Sequence, residues 1–264
     1  MNIYWQELKF YRRSMIIWII SLCAVALLFL SMYSSLSGQI EQFRAVISNY
    51  PKALLAAINF RFEIFYSIYG FLSYIMTFVW LAGAIQATNL GISVLSKEVS
   101  GKTADFLLSK PVSRNKMLLQ KFLAVFTVIL VTNIVFTAFN LIGSRLFSPS
   151  TFNFKLCLLI SLTLFFVQMF FLAIGYLLGA VVPKIKTVIS YSLPIVFGLF
   201  ILSSFSGILD KPETFYFTPF KYFDATYIFR TGHYEYKYLW VLLSLVVFCM
   251  FVSFVFYNRK DINQ

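Results

Sequence analysis

Long stretches without a single charged side chain, separated by short basic segments, set the pattern of this chain. Six stretches free of Asp, Glu, Lys, Arg and His cover residues 14–40, 64–96, 122–144, 156–183, 187–209 and 238–258, with lengths of 27, 33, 23, 28, 23 and 21. A helix needs about 20 apolar residues to cross the hydrocarbon core of a bilayer, so every stretch is long enough. None has the polar/apolar alternation of a barrel strand, and backbone groups in hydrocarbon must be satisfied within their own segment. The pattern therefore predicts an all-α integral membrane protein. Its six transmembrane helices lie near 15–36, 64–95, 118–144, 156–182, 187–209 and 238–257, in one domain spanning 1–264.

Finer periodicity adds detail at both ends. Tyr4, Leu8, Tyr11 and Met15 recur at helical spacing, while Gln6, Glu7, Lys9, Arg12 and Arg13 take the other faces and Trp5 the boundary. This predicts an interfacial amphipathic helix that turns into the first span as an elbow. The second stretch, at 1.5 Å per residue, makes roughly 50 Å of helix against a core of about 30 Å, so it is expected to project beyond the membrane. Gly175 and Gly179 form a small-xxx-small pair, expected to pack within the chain. Pro194 and Gly198 are expected to bend the fifth span. Between the fifth and sixth spans, residues 210–237 hold ten aromatic residues, among them Phe220, Tyr222, Phe223 and Tyr234. They predict short re-entrant or surface helices capping the bundle, with a plain aromatic belt as the alternative.

Charge decides orientation. The N-terminus, the loop between spans 2 and 3, the loop between spans 4 and 5, and the C-terminus carry 13 Lys and Arg, against 9 in the other three loops. Basic residues are retained inside, which places both termini in the cytoplasm. The formal net charge of +12 needs no nucleic acid, because this asymmetry and contact with anionic headgroups account for it. Cys23, Cys157 and Cys249 fall within spans and read as small apolar packing residues, not a disulfide framework. A signal-peptide reading of the first span fails on its long apolar run and the patterned residues before it.

The cytoplasmic loop from Ser96 to Met117 is the most informative segment. Thr103 can cap a short helix on which Ala104, Leu107 and Leu108 share a face, Pro111 interrupts it, and Ser113 can cap the helix that becomes the third span. An amphipathic helix held between two rigid spans suits docking into a partner's groove. With Glu98, Gly101, the Leu107–Leu108 pair, Pro111, Val112, Ser113, Arg114 and Lys121, this loop resembles that of type-2 ABC exporter permeases. The likeness extends to the N-terminal segment, the six-span plan and the aromatic segment after the fifth span. It implies that the loop is a coupling helix against a separate ATP-binding subunit, present in two copies, and that two permease chains pair, as homo- or heterodimer, in the plasma membrane. It also implies that Glu98, Gly101, Lys102, Asp105, Leu107, Leu108, Pro111, Arg114 and Lys116 serve that coupling, with ATP and Mg on the partner and no cofactor on this chain.

Other chemistries find little support. Gly101-Lys102-Thr103 lacks the earlier glycine and the preceding strand of a phosphate-binding loop. His233 is the only histidine, so a histidine-rich metal site or an imidazole-based triad within the membrane is not available. Asp210, Glu213, Asp224 and Glu235 leave a membrane enzyme with external carboxylates as an alternative, beside a scaffold without transport. Ion-coupled transport usually leaves an ionisable residue inside the membrane, and the six stretches have none. Gln86, Asn89, Asn133, Asn140 and Gln168 are candidate pathway groups that could equally serve interhelical hydrogen bonding. A pathway of this composition suits a hydrophobic or amphipathic cargo, with a peptide favoured.

Overall fold

A computed structural model describes residues 3–36, 50–51, 54–55, 67–100, 113–147, 152–182, 185–209, 215–216 and 218–259. Six long helices account for most of them: α1 Ile3–Leu36, α2 Ile68–Ser100, α3 Arg114–Phe147, α4 Phe154–Val181, α5 Ile189–Leu209 and, after a short insertion, α7 Tyr236–Arg259. The insertion is a 3₁₀ turn, Pro219–Lys221, followed by a short helix α6, Ala225–Thr231. All six long helices are long and apolar enough to cross a membrane, and no strand occurs among the described residues. The all-α, six-span expectation holds.

Packing divides the helices into a hub and a rim. The central windows of α2 and α4 are 72 % and 61 % buried, those of α1, α5 and α7 only 17–22 %. Ile17, Ile20, Phe205, Trp240, Phe248 and Phe251 point outward from the rim. Side chains so large and apolar, spread around a bundle of this hydropathy, face lipid rather than water.

Glycine lets the hub close. A Cβ on Gly91 would sit 2.6 Å from the Leu172 carbonyl oxygen and from the Tyr176 nitrogen, and one on Gly175 would sit 2.5 Å from the Thr88 carbonyl oxygen. Each glycine of one helix thus meets backbone of the other, which no side-chain rotation could relieve. The Gly175/Gly179 pair is spent on this internal seam, since Gly179 faces Ile92 and Leu95 of α2 in the same way.

The N-terminal segment differs from its expected form. No separate elbow helix occurs, because Ile3 to Leu36 is one uninterrupted helix. Its first turns lie against the bundle: Tyr4 Oη meets Thr127 Oγ1 of α3 at 3.1 Å, and Tyr11 Oη meets Ser93 Oγ of α2 at 2.8 Å. Glu7, assigned by spacing to the polar faces, is buried between them at 5 % exposure.

The hub yields a direct test. Overpacking a core costs about 1–3 kcal/mol, and more where backbone is the obstacle. Gly175→Val should therefore lower the unfolding temperature in detergent sharply. Gly198 has nothing within 4 Å of its Cβ position, so Gly198→Ala should be neutral or slightly stabilising. Melting curves of both variants followed by fluorescent size-exclusion chromatography check this.

Candidate functional site

Two ends of the bundle are distinguishable. At the loop end, α2 stops at Ser100 and α3 starts at Arg114, flanking residues 101–112; at the cap end, the 3₁₀ turn and α6 enter. Of the residues assigned to the loop, Gly101, Lys102, Asp105, Leu107, Leu108 and Pro111 lie outside the described residues, as does the side chain of Glu98. Arg114 and Lys116 lie within them. Arg114 Nη1 donates to the Asn258 carbonyl at 3.1 Å, and Asn258 Nδ2 donates to Asn115 Oδ1 at 2.6 Å, so the start of α3 is tied to the end of α7. Lys116 is exposed.

The roots of the loop are held by an ionic cluster. Glu7 of α1 accepts from Lys97 Nζ of α2, and its other oxygen lies 3.6 Å from Lys121 Nζ of α3. Lys121 is completely buried and also donates to the Val94 carbonyl at 2.7 Å. Lys97 lies 4.2 Å over the Phe10 ring, adding a cation–π contact. Tyr176 Oη donates to the Leu118 carbonyl at 2.8 Å, which fastens α4 to the same level. A carboxylate and an ammonium this deeply buried are costly unless paired, so one side chain of α1 holds both helices that bear the loop.

Sequence reading missed this cluster, although a signal was present. Glu7 is the only acidic residue before Glu41, and Ile3, Glu7 and Tyr11 share one helical ridge with it in the middle. Lys121 sits one residue outside a charge-free stretch, yet α3 begins seven residues earlier and carries it into the bundle. Lys121 thus lies within the predicted third span 118–144, outside its charge-free stretch, and is buried in the bundle.

The five candidate pathway groups sit at middle depth and chiefly join helices. Gln168 of α4 donates to Gln86 Oε1 of α2 at 3.0 Å, Asn133 Nδ2 of α3 donates to Gln168 Oε1 at 2.6 Å, and Gln86 Nε2 reaches Thr132 Oγ1 at 3.4 Å. Asn140 reaches Ser161 at 3.4 Å, about two turns further towards the cap end. Asn89 accepts from Ser192 Oγ of α5 at 2.7 Å and alone among the five keeps a partly exposed side chain.

At the cap end the aromatic segment enters the bundle. Tyr234 Oη donates to the Leu159 carbonyl at 2.6 Å, Phe223 stacks on Phe166 at 5.2 Å, and Phe220 packs on Phe171 at 5.2 Å. Phe171 lies seventeen residues past Phe154, about 26 Å along the axis of α4. The segment packs into the bundle against rings of α4. Non-helical backbone is tolerated at such depth only when buried in protein. Here Lys221 N donates to Thr218 O at 2.9 Å and Tyr222 Oη to Tyr216 O at 2.6 Å, within a wall of rings. Of the four carboxylates considered for enzyme chemistry, Asp210 and Glu213 lie outside the described residues. Asp224 accepts from Tyr227 N at 3.1 Å at the start of α6, and Glu235 pairs with Lys237 at 2.7 Å. Both therefore have local structural partners, and no group of three metal-ligating side chains occurs among the described residues.

Six helices long and apolar enough to cross a bilayer, packed in one bundle, define a multi-pass membrane protein. The family model for the ABC-2 family transporter protein matches residues 1–262, and the chain belongs to that family. Membership implies the membrane component of an ABC transporter, working with an ATP-binding subunit. No curated protein matches the chain.

Removing one partner of a buried ion pair costs about 3–5 kcal/mol. Glu7→Ala, which removes the carboxylate facing Lys121, should therefore destabilise the bundle by about that amount. Trp5→Ala at the 65 % exposed neighbouring position should change stability little. Thermal unfolding of the purified variants separates the two.

Proposed function

We propose that this chain is the permease half of an ATP-driven exporter, which pairs with a second permease chain and drives transport through residues 98–116. The observation that carries the reading is the family match over residues 1–262, joined to a loop whose two roots share the Glu7 carboxylate. In this reading the loop end is cytoplasmic. ATP and Mg act on two copies of a separate ATP-binding subunit, which docks on Leu107 and Leu108. Glu98, Gly101, Lys102, Asp105, Pro111, Arg114 and Lys116 shape the loop or meet the partner's charges.

ATP-driven closure of the partner subunits displaces the loop, and α2 and α3 carry the displacement into the membrane as rigid rods. Because Glu7 joins both roots, α1 moves with them. The pathway runs beside α2 at the partly exposed Asn89, which accepts from the buried Ser192 of α5, and between the two permease chains. Gln86, Asn133, Asn140 and Gln168 hold its wall together. Cargo is a hydrophobic or amphipathic molecule, with a peptide favoured by the aromatic surroundings.

Burying each leucine in a partner groove contributes roughly 1.5–3 kcal/mol. Leu107→Asp combined with Leu108→Asp should therefore release the ATP-binding subunit from purified permease. Glu98→Ala should retain it while lowering cargo-stimulated hydrolysis in liposomes, since exposed pairs contribute only about 0–1 kcal/mol. A double variant that binds the ATPase and transports normally would overturn the coupling role of the loop.

A further inference from the structure

The first turns of α1 carry charge on two opposite faces, and only the inner one is neutralised. Glu7 is the sole acidic residue of α1, and it is turned inward onto Lys97 and Lys121. Lys9, Arg12 and Arg13 are exposed on the other side. Steps of three and four residues keep side chains on one helical face, and Trp5, Lys9, Arg12, Arg13, Ile16 and Ile20 follow one another at such steps. All six are exposed, so they form a single outward stripe with an indole and three cations at its start and branched apolar side chains beyond.

The apolar part of the stripe fixes the level of the basic part. Ile16, Ile17 and Ile20 are exposed, and α1 carries no charge from there to its end at Leu36. A surface of that length and composition is covered by lipid tails. Arg12 and Arg13 stand about one turn, or 5 Å, before Ile16. Headgroups occupy about 5–8 Å on each side of a hydrocarbon core of about 30 Å, so the two guanidinium groups start at the level of the phosphates. Lys9 and Trp5 follow at one-turn steps. A long flexible ammonium stem can reach back to a phosphate from there, and an indole is at home in that boundary layer. With Glu7 committed to the interior, α1 offers no carboxylate to the stripe.

From this arrangement we infer that the stripe is a binding site for an anionic phospholipid, with Lys9, Arg12 and Arg13 on its phosphate and Ile16 and Ile20 along its acyl chains. Guanidinium groups match phosphate oxygens in a bidentate fork, which suits the two arginines to this role. A zwitterionic lipid brings the same phosphate and tails, but its ammonium meets three cations unfavourably. The lipid holds from outside the same turns of α1 that brace α2 and α3 from inside. Binding does not depend on the transport reading above, and is measured without the ATP-binding subunit.

The test titrates phosphatidylglycerol or phosphatidylcholine with the same acyl chains onto the purified full chain in neutral detergent, and counts bound lipids by native mass spectrometry. Each basic residue near an anionic headgroup layer contributes about fivefold in affinity. The first phosphatidylglycerol should therefore bind at least tenfold more tightly than phosphatidylcholine. Lys9→Gln, Arg12→Gln and Arg13→Gln combined should remove that preference. A control with Arg145→Gln, Lys155→Gln and Lys237→Gln, which removes three exposed cations at the cap end, should keep it. Should the first triple variant fail to fold, Arg12→Gln alone decides the matter, with a loss of about fivefold expected. Equal binding of the two lipids by the unaltered chain, or a preference that survives loss of the stripe cations or vanishes as fully in the control, would overturn the assignment. So would a stripe variant that is monomeric by light scattering where the unaltered chain is a dimer, with its lipid preference intact, since a second copy would then cover the stripe.

Discussion

Everything in this bundle depends on the approach of α2 to α4. Two helices of 33 and 28 residues come together with backbone against backbone, because Gly91, Gly175 and Gly179 present no side chain at the crossing. In a bilayer, apolar burial gives little drive for helices to associate, since lipid tails are as apolar as leucine. Close packing and interhelical hydrogen bonds carry the association instead. The glycine seam supplies the first and sets the register for the second. With α2 and α4 at that spacing, Gln168 reaches Gln86 and Trp80 reaches Thr163. A side chain at the seam would separate the same groups and leave amides unpaired in hydrocarbon.

Around this hub the polar groups are graded along the axis. Among the buried groups, Glu7 and Lys121 lie at the loop end, neutral amides occupy the middle, and rings and hydroxyls fill the cap end. The grading follows what each group costs to desolvate. An ammonium near the membrane boundary needs one carboxylate and one carbonyl, whereas an amide at middle depth can be satisfied by another amide.

The braced loop end has a mechanical consequence. Tyr4, Glu7 and Tyr11 pass in order from α3 to α2, so about two turns of α1 cross-link the two helices that bear the loop. A force applied to residues 101–112 meets a stiff frame instead of two independent rods. The outward faces of α1, α5 and α7 remain apolar.

Six spans and their all-α character were legible in the sequence, because charge-free length is a local property. Gly175 and Gly179 were legible as a packing pair for the same reason. The placement of Glu7 was not. Helical spacing put it among the solvated faces, and only the arrival of Lys97 and Lys121 from ninety and more residues away makes its burial tolerable. An amphipathic period also cannot tell an interfacial elbow from the first turns of a continuous helix, since both show the same face pattern. Residues 210–237 were readable as aromatic and membrane-seeking, but how far they enter was settled by which rings α4 offers: Phe166, Phe170 and Phe171 draw the segment inward. Composition along one strand of chain thus determined which segments leave water. Which charged and polar groups could follow them was decided by partners that only the folded bundle brings within reach.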